Sequence, residues 1–164
     1  MKQFARLGLL LVVLAVVASS IGWAQGLERQ LTITMGEFYF QAQGQGRNEA
    51  ITLEVAVPYR ATFKNEGNVV HRVKFGRGLI VEEGVPYAYA ENLFNDVPLR
   101  VEGITESGAD FRVTTNQMIE LDLEPGGEIA VVFTLPQSAQ GTWELGCFVI
   151  GHYEAGMRAN LIVQ

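Results

Sequence analysis

Residues 128–147 read EIAVVFTLPQSAQGTWELGC and contain two runs in which every second side chain is strongly apolar. The first run places Ile129, Val131 and Phe133 on one side, and the second does the same for Trp143, Leu145 and Cys147. Turn-forming residues fill 136–141 between the two runs. A period of two residues is typical of strands with one buried face, so this stretch predicts two half-buried antiparallel strands.

The same period continues through most of the chain, over residues 31–35, 51–57, 59–63, 71–75 and 119–123. At least seven short strands in one domain favour an all-β, antiparallel Greek-key β-sandwich. Residues 77–118 fit this pattern less well and are predicted to form a long connection. Within that connection the run YAYAENLF, residues 87–94, is predicted to form a short helix.

The rarest residues restrict the chemistry. The chain of 164 residues has two histidines and one cysteine. One cysteine excludes an internal disulfide framework, and three such residues are too few for a Cys-rich zinc site or an iron–sulfur cluster.

The N-terminus carries the features of export. Lys2 and Arg6 precede an apolar run, and small residues at Gly22 and Ala24 suit cleavage after Ala24. We therefore predict a signal peptide over 1–24, a mature domain over 25–164, and a location in the periplasm or on the outer face of the cytoplasmic membrane. The alternative is an uncleaved anchor, because no charge occurs from Leu7 to Leu27. Only that alternative predicts membrane association.

Cleavage would make the net charge more negative, from −6 to −8, because the removed segment holds two basic residues and no acidic ones. Such an acidic protein is not expected to bind nucleic acid.

The segment after the second run has the spacing of a ligand loop. Cys147, His152 and Met157 follow a C-x4-H-x4-M pattern, in which Gly151 and Gly156 allow sharp bends. His71 lies on the core-facing side of its own strand, at the end where these residues could join it. A thiolate, two imidazoles and a thioether suit copper in a trigonal site with a long axial bond, with zinc as the alternative.

Two stretches resemble the cupredoxins, the small type 1 blue copper proteins. Residues 63–76, FKNEGNVVHRVKFG, look like the strand with the first histidine of that family, and residues 123–163 look like its ligand loop and flanking strands. The spacing is similar to that of auracyanin-like and rusticyanin-like carriers, and the loop also to that of exported copper-resistance proteins. The resemblance implies one type 1 copper ion held by His71, Cys147, His152 and Met157.

The chain departs from the family pattern at two positions. Family loops usually read Pro-Gly-His, whereas Ile150 stands in place of the proline. The residue after the first histidine is commonly Asn, Asp or Glu with a side chain that ties the ligand strands, and Arg72 stands there instead.

We predict an electron carrier that acts with a redox partner protein and is itself a monomer. The alternative is copper sequestration, resistance or delivery to a copper acceptor protein. The apolar neighbours of His152 either form a partner-docking patch or only shield the copper; they are Phe148, Val149, Ile150 and Tyr153. No catalytic residue is predicted, because nothing beyond the metal ligands forms a nucleophile with its base, and an enzyme is not expected.

Overall fold

A computed structural model describes residues 28–104 and 110–164, which fold into two packed β-sheets. The twelve strands of this part of the chain are β1 Arg29–Gly36, β2 Tyr39–Ala42, β3 Ile51–Leu53, β4 Pro58–Asn65, β5 His71–Glu82, β6 Val85–Asn92, β7 Asn95–Ile104, β8 Asp110–Gln117, β9 Leu121–Leu123, β10 Glu128–Thr134, β11 Gly141–Cys147 and β12 Arg158–Val163. A single 3-10 turn, Gln137–Ala139, precedes β11.

The first sheet has the order β2-β1-β4-β10-β7-β8, and the second has the order β3-β12-β11-β5-β6 with β9 paired to the start of β5. The predicted all-β sandwich is confirmed. One detail of the prediction is wrong, because β1 pairs with β4 in parallel and β12 pairs with β3 in parallel. Both sheets are therefore mixed rather than purely antiparallel.

The core follows from the alternation in the sequence. In β4 the buried apolar side chains are Tyr59, Ala61 and Phe63, and in β11 they are Trp143, Leu145 and Cys147. Each large apolar side chain removed from water contributes about 1.5–3 kcal/mol to folding. The alternating faces of the two sheets thus build one core that reaches the ends of β5 and β11.

The predicted short helix over residues 87–94 is wrong, because Val85–Asn92 is strand β6. This strand forms a hairpin with the second half of β5, closed by Glu83 and Gly84 at φ of 51° and 84°. Two consecutive positive φ values are the geometry of a tight two-residue hairpin turn. Tyr87 and Tyr89 alternate with alanines on β6, so the period of two also holds in this segment.

The predicted signal peptide, with its anchor alternative, lies outside the described residues. Among the residues that are described, no helix is both long and apolar enough to cross a membrane.

Candidate metal centre

Three of the four predicted ligands, His71, Cys147 and His152, meet at one end of the sandwich. His71 is the first residue of β5 and Cys147 is the last residue of the antiparallel neighbour β11. The Cys147 Sγ atom lies 3.7 Å from Nδ1 of His71 and 3.5 Å from Nδ1 of His152. All three ligand atoms lie within 4.8 Å of one another. The two sulfur–nitrogen distances are short enough for one ion bonded at about 2.0 Å to nitrogen and about 2.3 Å to sulfur.

The loop after Cys147 returns Met157 to the side of the cysteine. The Cys147 N–H donates to the Met157 carbonyl at 3.0 Å, and the Met157 N–H donates to the His152 carbonyl at 3.0 Å. Gly151 and Gly156 adopt φ of 85° and 98°, which glycine reaches without strain. Met157 is fully buried, so its thioether faces the interior rather than solvent.

Burial sets the charge state of the ligands. It is the main cause that lowers the pKa of both histidines, and in His71 the nearby His152 lowers it further. Both imidazoles are therefore neutral at pH 7 and can offer a lone pair. Burial also raises the pKa of Cys147, against the backbone N–H groups of Val149 and Arg72, which act in the opposite direction. A soft metal ion would displace the thiol proton when it binds.

The fit of a metal is supported by the histidine itself. His71 is fully buried, and among the described residues its Nε2 atom has no hydrogen-bond partner. A Cβ atom at Gly67 would lie only 3.1 Å from that nitrogen and 2.8 Å from Glu37 Oε1, so this approach is crowded even for alanine. An imidazole kept neutral in such a space is suited to ligation through its other nitrogen, Nδ1. The donor set of His71, Cys147, His152 and a nearby Met157 fits one type 1 copper ion.

The strand that carries His71 is held by residues that the sequence reasoning did not single out. The buried Asn65 side chain donates to the carbonyls of Val69 and Leu123 at 2.8 and 2.9 Å and accepts from Gly67 N–H at 2.9 Å. These contacts fix the loop that leads into β5. The only signal in the sequence is the turn-forming composition of residues 65–68.

The Arg72 side chain binds a residue of β9 and does not join the ligand strand to the ligand loop. Its guanidinium binds Asp122 of β9 through two nitrogens, at 3.1 Å and 2.9 Å. The ligand strand and the ligand loop are joined by main chain instead, because Phe148 N–H donates to the Arg72 carbonyl at 2.7 Å.

The predicted docking patch divides into buried and exposed members. Phe148 and Tyr153 are only 8% and 5% exposed, Val149 packs against the core, and Ile150 is 83% exposed. The burial of Phe148 and Tyr153 therefore fits the shielding alternative, whereas Ile150 is open to a partner, and the docking patch stays a prediction. Phe148 and Tyr153 are covered because the β5–β6 hairpin, absent from the prediction, lies against them.

An unpredicted aromatic residue reaches the site from another element. Phe38, in the turn between β1 and β2, is 47% exposed, and its ring meets the His152 ring edge to face at 5.2 Å. Its neighbour Glu37 accepts a hydrogen bond from Asn68 N–H in the loop before His71. This turn was invisible from the sequence, because the parallel pairing of β1 with β4 brings it to this end.

No protein-family model and no curated protein sequence matches this chain. Solved structures do match, at low identity. Reduced auracyanin from the photosynthetic bacterium Roseiflexus castenholzii is 18% identical, with a TM-score of 0.49 over 85% of this chain and 99% of its own. A multicopper oxidase from Campylobacter jejuni is 13% identical, with a TM-score of 0.54 over 83% of this chain and 30% of its own.

A copper-containing nitrite reductase from Thermus scotoductus is 16% identical, with a TM-score of 0.53 over 83% of this chain and 31% of its own. The oxidase and the reductase, with TM-scores above 0.5, agree with the two-sheet fold described above. Since both are enzymes by name, the fold alone does not separate a carrier from an enzyme.

Proposed function

We propose that this protein is an exported type 1 copper protein that carries single electrons between partners and catalyses no reaction of its own. The observation that carries the proposal is the meeting of His71 Nδ1, Cys147 Sγ and His152 Nδ1 at the start of a C-x4-H-x4-M loop. A bound copper ion would supply the one-electron couple between Cu(I) and Cu(II). The protein would supply a thiolate, two imidazoles and a thioether in a rigid, water-excluding pocket.

Burial favours a carrier over a protein that releases its metal. His71, Cys147 and Met157 are all fully buried, and His152 is 8% exposed. A copper ion could leave only if the surrounding loops opened, whereas an electron needs no such opening. Rigid ligands that change little between two oxidation states are what fast electron transfer requires.

We further propose that the partner docks where His152 approaches the surface. Phe38, Val69 and Ile150 are exposed apolar residues of the two loops and the turn at this end. Glu37 and Glu154 are exposed and close enough to act on the charge of His152. The chemistry that fits this surface is a protein with an apolar contact patch and a basic rim.

The first test is the visible spectrum of the 25–164 protein after addition of Cu(II). We expect an intense blue colour from thiolate-to-copper charge transfer, and we expect Cys147→Ser to abolish it. A colourless or weakly coloured adduct of the unmodified protein would overturn the type 1 assignment. A band that persists in Cys147→Ser would show that another ligand set holds the metal.

Copper sequestration or delivery is the second candidate, because the ligand loop also resembles those of copper-resistance proteins. The reduced, copper-loaded protein can be offered a cationic cobalt(III) complex as oxidant and, separately, an apo copper-binding peptide. Rapid oxidation with the copper retained supports the carrier. Transfer of copper to the peptide without a redox change would favour delivery instead.

A further inference from the structure

A hydrogen-bonded cluster outside the ligand set lies against the back of the ligand loop. Tyr89 of β6 donates to Glu144 Oε1 at 2.7 Å, and Tyr153 donates to the same oxygen. Glu144 lies on β11 three residues before Cys147, and Tyr153 directly follows His152. One carboxylate therefore links the β5–β6 hairpin, the cysteine strand and the histidine loop.

Phe148, the residue after Cys147, is enclosed by the same cluster. Its ring lies 5.1 Å from the Tyr89 ring in an edge-to-face arrangement and 5.4 Å from the Tyr153 ring. A Cβ atom at Gly146 would lie 2.4 Å from the Tyr89 hydroxyl and 3.0 Å from the Tyr153 ring, so the rings close onto bare backbone. The residues immediately after both Cys147 and His152 are thus fixed by one cluster.

The chemistry of the cluster favours strong hydrogen bonds. Burial raises the pKa of Tyr89, and the hydrogen bond to Glu144 raises that pKa further, so the Tyr89 phenol remains a donor. Phenol-to-carboxylate hydrogen bonds are charge-assisted and about twice as strong as neutral ones. Arg158 lies over the Tyr153 ring, 5.1 Å from its centroid, and sets a positive charge beside the carboxylate.

The ligand loop has need of such a restraint. Residues 148–156 contain two glycines and no proline, so nothing in the loop's own sequence restricts its backbone, and the side chain of Ile150 is 83% exposed. Residues 148 and 153 are the points at which the loop meets the outer face of the second sheet. Restraining them restrains Cys147 and His152, to which they are covalently joined.

We propose that Tyr89, Glu144 and Tyr153 are positioning residues that hold the Cys147 and His152 ligands in place. This inference rests on the proposed copper function only where it predicts the properties of the copper-loaded protein. The restraint itself belongs to the metal-free chain and can be measured there.

The test uses Tyr89→Phe and Tyr153→Phe, which remove one hydroxyl each and keep the ring. In the metal-free protein we expect the amide hydrogens of His152 and Met157 to exchange about tenfold faster or more, the effect of losing a hydrogen bond to a charged group. The matched control is Tyr59→Phe, which removes a buried hydroxyl that contacts Arg29 and Glu54 N–H far from the site. Tyr59→Phe should leave those two amides unchanged.

In the copper-loaded variants we expect a broadened Cu(II) electron paramagnetic resonance signal and a severalfold slower electron self-exchange, with one copper still bound. If both tyrosine variants match Tyr59→Phe in loop exchange, the positioning role is overturned. If the unmodified protein never turns blue, the copper proposal fails, and the exchange data still decide the restraint. The two failures are therefore distinguishable.

Discussion

At the scale of single residues, main-chain contact sets the ligands beside one another. Cys147 N–H donates to the Met157 carbonyl, so the loop that begins at the thiolate ends beside it. His71 comes from a different strand and is oriented by its burial and by the loop that Asn65 holds. His71 therefore has a support of its own, whereas the three ligands of the loop are held together by shared main-chain hydrogen bonds.

Met157→Gln tests, at the scale of one residue, the proposal that the Met157 thioether is the weak axial ligand of the copper. An amide oxygen is a harder donor than a thioether and favours Cu(II), so we expect one copper still to bind but at a lower reduction potential. A fall of more than about 60 mV, a tenfold change for a one-electron couple, is the expected size by voltammetry. Met118→Gln is the control, because Met118 is buried outside the ligand set and should leave the potential in place. An unchanged potential in Met157→Gln would contradict the axial assignment.

At the scale of elements, the β1–β2 turn closes the metal end of the sandwich. Phe38 sits in this turn at a φ of 65°, a left-handed conformation that costs an aromatic residue about 1–2 kcal/mol. Strain of this kind is often kept at functional sites. In this conformation the Phe38 ring packs against the His152 ring.

Phe38→Gly separates the backbone strain at position 38 from the covering of His152 by the ring. Glycine adopts the same φ without strain, so we expect the turn to persist and the free energy of unfolding to stay within about 1 kcal/mol of the unmodified value. Removal of the ring should expose His152, and a chelator should then extract copper severalfold faster. The control is Ile150→Ala, which truncates a loop side chain that is 83% exposed. Equal extraction rates in Phe38→Gly and the unmodified protein would contradict the covering role.

At the scale of the whole molecule, charge couples strands that are not neighbours. Glu102 of β7 is bound by Arg60 of β4, Arg100 of β7 and Arg112 of β8, at 2.6, 2.5 and 2.9 Å. The hydrogen bond from Arg60 is the main cause that lowers the pKa of Glu102 to about 2. This network joins β4 to β7 across the intervening β10.

Because the pKa of Glu102 is lowered in the folded protein, its contribution to stability is complete above its ordinary pKa of 4.5 and is lost as the pH falls towards 2. We expect Glu102→Gln to lower the free energy of unfolding by about 1–2 kcal/mol at pH 7 and by much less near pH 2. Denaturant unfolding of the metal-free protein at several pH values measures this. Glu128→Gln is the control, because Glu128 and its partner Lys64 are both exposed. If the difference in unfolding free energy between Glu102→Gln and the unmodified protein did not change with pH, the stabilising role of the Glu102 network would be contradicted.

The sequence predicted the parts of the fold that depend on local pattern. Alternation identified the strands that carry His71 and Cys147, and the ligand spacing identified the loop, because both are written in neighbouring residues. The β5–β6 hairpin was missed, since its tip is exposed on both faces and Leu79, Val81 and Val85 bury no common side. The parallel pairs, the place of Phe38 and the Tyr89–Glu144–Tyr153 cluster depend on contacts between distant segments, which no local pattern encodes.

The order of synthesis determines when the pairing of β11 with β12 can align the ligand loop. His71 precedes Cys147 by 76 residues, and β12, which pairs with β11 and aligns the end of the ligand loop, follows all four ligands. A growing chain therefore holds all four donors before β12 is made, but the pairing that aligns the end of the ligand loop forms only afterwards. Copper would enter a finished scaffold rather than guide its assembly, and the protein would meet its metal wherever folding is completed.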